Sequence, residues 1–449
     1  MTKIRRAGSR SKRGRPILTL GVWVGVWVGC GMWGGCAGAG AGAGAGTGAG
    51  MGTERAERAR AEAPASQTAV LPGIDVLLGG DVSALDGRVG LITNHTGLTA
   101  AGRSTIDALH EHPSIELVAL FGPEHGLRGT AEAGERVEGG RDQRTGLPVH
   151  SLYGETRAPT PEMLRDIDVL VFDIQDIGTR YYTYIWTMAL SMKAAAENGK
   201  RFVVLDRPNP IGGHRVQGNV IDSTHLTFVG LYPVPMRHGL TVGEMARWLN
   251  DAHGIGARLT VVPAEGWRRD MWYDETGLTW VAPSPNMPSL ESATHYPGTC
   301  LFEGTNLSVG RGTPLAFQQI GAPWLDAAAV AQRLNARALP GVRFEAVTFT
   351  PENPGDGKYA GQAIPGIRFL TTGRDLYDPT AAGIAALVEI RALHGDQLTF
   401  REAHFDRLAG SARVREALLR GAEADEITAG WGEESEQFLV ETAPYWLYR

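Results

Sequence analysis

Cysteine is nearly absent: the 449 residues include three, Cys30, Cys36 and Cys300. So few thiols exclude a disulfide framework, and a chain of this length does not need one. Positive charge is also in deficit. Lys+Arg number 43 against 49 Asp+Glu, and seven of the bases lie in the first 36 residues, so the remainder carries 36 bases and a net charge of −13. Such an acidic protein has no general attraction to nucleic acid phosphates. Also missing are a GxxxxGK[ST] phosphate cradle, a GxGxxG after a strand, an HExxH pair and a GxSxG elbow. Nucleotide, zinc-peptidase and α/β-hydrolase chemistry are therefore unsupported, and neither a metal nor a cofactor is expected. The rest of the composition is ordinary for a globular protein, with 43% hydrophobic and 20% charged residues. That excludes a disordered tail protein, a coiled coil and a multi-span transporter. The length exceeds the ~250–300 residues at which single cores stop growing, so at least two domains are expected.

The leader is distinctive. Lys3, Arg5, Arg6, Arg10, Lys12, Arg13 and Arg15 precede an apolar stretch from about Ile17 to Gly35, the pattern of a secretory signal. Small residues then precede Cys36, and an Ala/Gly alternation follows it to about Gly52. This predicts a lipoprotein signal over residues 1–36, Cys36 carrying the lipid, and a flexible tether over 37–70 holding an exported domain near the membrane. Cys30 is the second lipidation candidate. Cleaved secretion and an uncleaved anchor are the alternatives.

From Leu71 the texture changes. Val89–Thr93, Leu117–Phe121, Val169–Asp173 and Phe202–Asp206 are short, β-branched or aromatic, and lack polar alternation. Strands buried on both faces of a parallel sheet read this way. Helical spacing over Ile185, Met188, Ala189 and Met192, Thr160-Pro161 as a helix start, and the Thr241–Glu244 capping box place helices between and after them. The expected fold is α/β: a Rossmann-like, doubly wound parallel sheet over 71–294, then a smaller α+β domain over 295–449. Residues 267–313, rich in Gly, Pro, Ser and Asn, are expected as long ordered loops.

Ligands of open α/β sheets bind outside the carboxyl ends of the strands. Here those ends deliver Asn94-His95, Glu124-His125, Asp173 through Arg180 to Tyr182, and Asp206 to Asn209. Glu124, framed by Gly122-Pro123 and Gly126, is placed to act as a general acid. Asp173 and Asp176, with Arg180 nearby, look like a second acidic site at a helix N-terminus. Asn209, Asn286 and the Gly-shaped run containing Glu303, Asn306 and Arg311 suit recognition of hydroxyls. Most tryptophans should pack in the core, leaving one or two to stack on sugar rings.

Eight blocks carry a family resemblance: GLITNHTG (90–97), FGPEHGLRG (121–129), TGLPVHSLYGETRAPT (145–160), VFDIQDIGTRYYTYIWTM (171–188), LDRPNPIGG (205–213), PMRHGLTVGE (235–244), PSPNMPSL (283–290) and YPGTCLFEGTNLSVGRGT (296–313). In this order they resemble the exo-β-N-acetylmuramidases of the NamZ type, glycoside hydrolase family 171, from about Gly73 to Arg449. The resemblance implies a Rossmann-like domain, an auxiliary C-terminal domain and a cleft between them. It also implies release of N-acetylmuramic acid from the non-reducing ends of peptidoglycan fragments, with Glu124 as catalytic acid. In that chemistry His125 orients Glu124 or shares its proton. Asp173 or Asp176 supplies a second carboxylate, unless the substrate's 2-acetamido group attacks. One of Arg128, Arg180 and Arg311 reads the lactyl carboxylate, and Asn94, Tyr184, Asn209, Asn286, Glu303 and Asn306 complete the substrate-binding set. The rival expectations are an envelope lipoprotein that binds muropeptides without cleaving them, and a hydrolase acting on the lactyl ether or stem peptide.

Overall fold

The computed structural model describes residues 69–128, 134–136 and 138–449. The signal segment, Cys36 and the tether up to residue 68 lie outside the described residues. In chain order the strands are β1 (Arg88–Thr93), β2 (Glu116–Gly122), β3 (Gly140–Arg141), β4 (Pro148–Ser151), β5 (Val169–Asp173), β6 (Arg201–Leu205), β7 (Gln217–Val220), β8 (Pro235–Arg237), β9 (Arg258–Val262), β10 (Gln319–Gly321), β11 (Val342–Phe349) and β12 (Ile364–Thr371).

Seven of them form one sheet in the order β3-β4-β2-β1-β5-β6-β9, and every pairing except β3–β4 is parallel. Successive side chains sort to opposite faces with period two. Val169, Val171, Val203 and Leu205 pack with the helices Gly73–Gly79 and Thr105–His110. Leu170, Phe172, Phe202 and Val204 pack with Tyr184–Glu197 and Val242–Ala252. With both faces covered, these strands have no polar side, which is why they read as continuous apolar runs. The chain builds outward from β1 toward β4 and then crosses to β5. The switch point thus lies between β1 and β5, where Thr93 pairs with Asp173.

The C-terminal part is the expected smaller α+β arrangement: an antiparallel sheet, β10-β12-β11, packed with helices. Its apolar residues Ile320, Phe344, Ile367 and Leu387 belong to the same core cluster as Phe172 and Trp186. From Ala69 onward the chain is one compact unit.

Two local expectations need correction. Thr160-Pro161 opens turns instead of an α-helix, because β5 begins at Val169 and a single turn is too short to propagate. Within 267–313 the chain forms a helix, Leu290–Thr299, whose N-terminus is capped by Ser289 Oγ accepting from the Ser292 amide. Gly298 lets it press against the helix Pro379–His394: a Cβ at Gly298 would sit 1.8 Å from the Pro379 carbonyl oxygen. That crossing sets Tyr296, Cys300 and Glu303 facing the cavity described next. Among the described residues no helix is long and apolar enough to cross a membrane.

Candidate active site

A cavity of about 610 Å3 is lined from both halves of the chain: Glu124, Tyr153, Tyr184 and Asn286 on one side, Tyr296, Glu303, Arg311 and His404 on the other. Its size is that of small-molecule sites, ~300–1,000 Å3.

Glu124 is placed by a tight turn. After β2 the Gly126 amide donates to the Pro123 carbonyl at 2.9 Å, and His125 takes a left-handed φ of +68°. A non-glycine residue there is strained, and such strain gathers at functional sites. Glu124 is 8% exposed. Its Oε2 accepts from Thr183 Oγ1 at 2.5 Å, and its Oε1 accepts from the Gly134 amide at 2.9 Å. Thr183 is the N-cap of the helix Tyr184–Glu197, yet its hydroxyl makes no capping bond. The group that would ordinarily cap the helix holds Glu124 instead. Tyr153 meets the same carboxylate: burial, then the Glu124 charge beside it, push its phenol well up.

Valine at Thr183 keeps the shape and removes the donor. Thr183→Val is expected to lower kcat about 10-fold with KM within twofold, the upper size of one lost hydrogen bond. Thr183→Ser should restore the rate; an unchanged kcat in the valine variant would deny Thr183 a positioning role.

Aromatic rings form the walls. Tyr182 meets Tyr184 at 5.1 Å and Tyr296 at 5.8 Å, both edge-on, and Tyr296 meets Phe317 at 4.7 Å. The Tyr184 hydroxyl donates to the Pro283 carbonyl at 2.6 Å, tying down the loop that carries Asn286. On the opposite side Arg311 binds Glu303 Oε1 through Nε at 2.7 Å and Nη2 at 2.5 Å. Burial opposes ionisation of Glu303, but Arg311 and then Lys358 hold its carboxyl below the usual range. Burial, helped by Arg407 and Arg401, pushes His404 down to about 4, so this imidazole is neutral at pH 7.

The structure therefore gathers Glu124, His125, Tyr184, Asn286, Glu303 and Arg311 into one cavity. Other expected site residues are engaged elsewhere. Asp173 is fully buried, ion-paired with Arg207 at 2.5 Å and accepting from Thr105 Oγ1 at 2.5 Å. Asp176 caps its own turn, accepting from the Gly178 amide at 2.7 Å, with His238 3.6 Å away. Arg180 donates to the carbonyls of Asn219, Val234 and Leu408, fastening the sheet domain to the C-terminal helices. Burial pushes it down to about 10, still a cation at pH 7. Arg128 is 69% exposed at the side chain and paired with Asp142. Asn94 accepts from the Thr96 amide and hydroxyl. Asn209 braces the Leu240 and Ile211 backbone, and Asn306 clamps Gln397 and Thr399. None of these seven lines the cavity.

Tyr153, Arg157, Tyr182, Thr183, Tyr296, His404 and Arg407 do line it, without having been singled out by sequence. The runs SLYGETR and RYYTY carried a signal in their clustered tyrosines. Among the described residues no tryptophan lines the cavity; tyrosines and phenylalanines take that place. Among the described residues no group of three or more His, Cys, Asp and Glu is placed to hold a metal ion.

Comparison with known proteins agrees with this architecture. Residues 89–291 match the model for the N-terminal part of exo-beta-N-acetylmuramidase NamZ, and residues 294–448 match its C-terminal part. The chain is 45% identical over 390 residues to the peptidoglycan beta-N-acetylmuramidase NamZ of Bacillus subtilis, covering 86% of this chain and 92% of that protein. It belongs to the NamZ family. Crystal structures of two DUF1343 family proteins from Bacteroides fragilis share the fold. One has a TM-score of 0.79 at 40% identity, the other 0.67 at 31%, and each match covers 85% of this chain and 99% of the other. Within the NamZ family frame, the cavity takes residues from both matched parts, Glu124 from the first and Glu303 from the second.

Proposed function

We propose that this chain is an exo-acting β-N-acetylmuramidase, a glycoside hydrolase that removes N-acetylmuramic acid from the non-reducing ends of peptidoglycan fragments. One observation carries the reading: a carboxyl, Glu124, fixed by Thr183 and the Gly134 amide at the wall of a tyrosine-lined cavity, in a chain of the NamZ family. Residues 71–294 form the catalytic domain, and 295–449 close the cavity from the other side.

Glu124 is the general acid that protonates the departing glycosidic oxygen, and His125, set by the same turn, orients it. As that bond breaks, a second participant must attack the sugar's anomeric carbon, to be displaced later by water, or activate the water that attacks it directly. Asp173 is neutralised by Arg207 and Asp176 faces its own turn, so neither is retained in that role. What remains is Glu303, ionised beside Arg311, or the 2-acetamido group of the substrate itself.

The purified full-length protein should release para-nitrophenol from the β-glycoside of N-acetylmuramic acid and not from that of N-acetylglucosamine. Binding of muropeptides without release would replace the enzyme by a binding protein.

The leader fits this reading, because peptidoglycan lies outside the cytoplasmic membrane. We extend the proposal to export and lipid attachment at Cys36. Cells fed a labelled fatty acid should label the chain, and Cys36→Ala should abolish the label while Cys30→Ala retains it. Label surviving Cys36→Ala would move the anchor to Cys30, and an unlabelled wild-type chain would remove it.

A further inference from the structure

N-acetylmuramic acid differs from N-acetylglucosamine by a lactyl ether ending in a carboxylate, so an enzyme that separates the two needs a cation beside the sugar. Among the described residues three arginines line the cavity: Arg157, Arg311 and Arg407. Arg311 has given its Nε and Nη2 donors to Glu303. Arg407 is hydrogen-bonded to His404. Arg157 is different, because it hydrogen-bonds the Tyr153 hydroxyl, which also meets the Glu124 carboxylate, and it lies against two rings. Its guanidinium lies 4.1 Å from the ring centre of Phe228 and 4.8 Å from that of Tyr153. A guanidinium carries five N–H donors, so one bond to a phenol and contacts with ring faces leave others for a ligand. The planar fork of a guanidinium is the geometry that binds a carboxylate through two parallel hydrogen bonds.

Tyr153 places this cation relative to the chemistry, since its phenol hydrogen-bonds both Arg157 and the Glu124 carboxylate. The lactyl group sits two ring carbons from the anomeric centre, so a sugar presenting its glycosidic oxygen to Glu124 can present its lactyl carboxylate to a group one side chain away. We infer that Arg157, held between Tyr153 and Phe228, reads the lactyl carboxylate and is the specificity-determining residue for muramic over glucosamine sugars. The inference rests on the muramidase reading for its substrate, but its test does not need turnover.

Calorimetry on the full-length protein would compare N-acetylmuramic acid, its lactyl methyl ester and N-acetylglucosamine. The wild type is expected to bind the free acid roughly 10- to 100-fold more tightly than the other two, the range of a charge-assisted hydrogen-bond pair. Arg157→Ala should erase that margin by weakening only the acid, and Arg157→Lys should keep part of it. Circular dichroism checks the fold, and Arg157 is exposed enough that the change should not disturb it. Preference for the acid surviving in Arg157→Ala, or lost instead in Arg407→Ala, would overturn the assignment. So would a wild type that binds all three ligands equally. Tight binding of the acid through Arg157 without glycoside release would uphold it and sink the hydrolase reading.

Discussion

Glu124→Gln should lower kcat on the disaccharide of muramic acid and glucosamine by about 10²–10⁴-fold, the usual contribution of one positioned acid. Glutamine can still accept from the Gly134 amide through its carbonyl oxygen and donate its amide to Thr183 Oγ1, whose hydroxyl rotates to accept, so the turn and the cavity survive, and the transferable proton is lost. The assignment makes a sharper demand through the leaving group. A sugar alkoxide is a poor leaving group and needs protonation as the bond breaks, whereas para-nitrophenolate departs with little help. Bond cleavage should therefore suffer far less in the variant with the aryl glycoside than with the disaccharide. Rates measured on both substrates, with the fold checked by circular dichroism, test this. Equal losses would make Glu124 a base or nucleophile, and unchanged rates would remove it from catalysis.

Asp173→Asn is expected to fail in a different way, through stability. Asp173 and Arg207 are 0% and 4% exposed, and two bonds of 2.5 and 2.9 Å join them. Removing the carboxylate strands a guanidinium in a low-dielectric interior, and breaking such a pair costs about 3–5 kcal/mol. The loss lies at the switch point of the sheet, where Thr93 Oγ1 also bonds the Asp173 carbonyl at 2.8 Å, so the midpoint of denaturant unfolding should drop markedly. Per folded molecule, kcat/KM should stay within about threefold. A stable Asp173→Asn protein with activity lost by orders of magnitude would return Asp173 to the catalytic machinery.

These two residues show what the sequence could reveal. Both stand at strand ends and both are carboxylates. Glu124 is legible because Gly122, Pro123 and Gly126 advertise a shaped turn. Asp173 looks equally functional until its partner is known, and Arg207 is 34 positions away with nothing in the pattern to join them. Arg180 is the same case across a longer span, bonded to a carbonyl 228 residues on. The central strands β1, β2, β5 and β6 were legible because burial on both faces confines polar residues to their ends. The cavity's far wall was legible only as a cluster: Glu303 and Arg311 share one glycine-rich run, but His404 and Arg407 come from the helix Glu402–Ala409, and only the tertiary path brings them together. Arg157 carried the weakest signal, since what marks it is its seat on two rings, one of them Phe228, from a distant loop.

The central claim, cleavage at a non-reducing muramic acid, is tested most directly with two isomeric disaccharides, one with muramic acid at the non-reducing end and one with glucosamine there. Mass spectrometry of the digests by the full-length protein should show the first split into its two sugars and the second intact. Cleavage of the second, or of neither, would contradict the account.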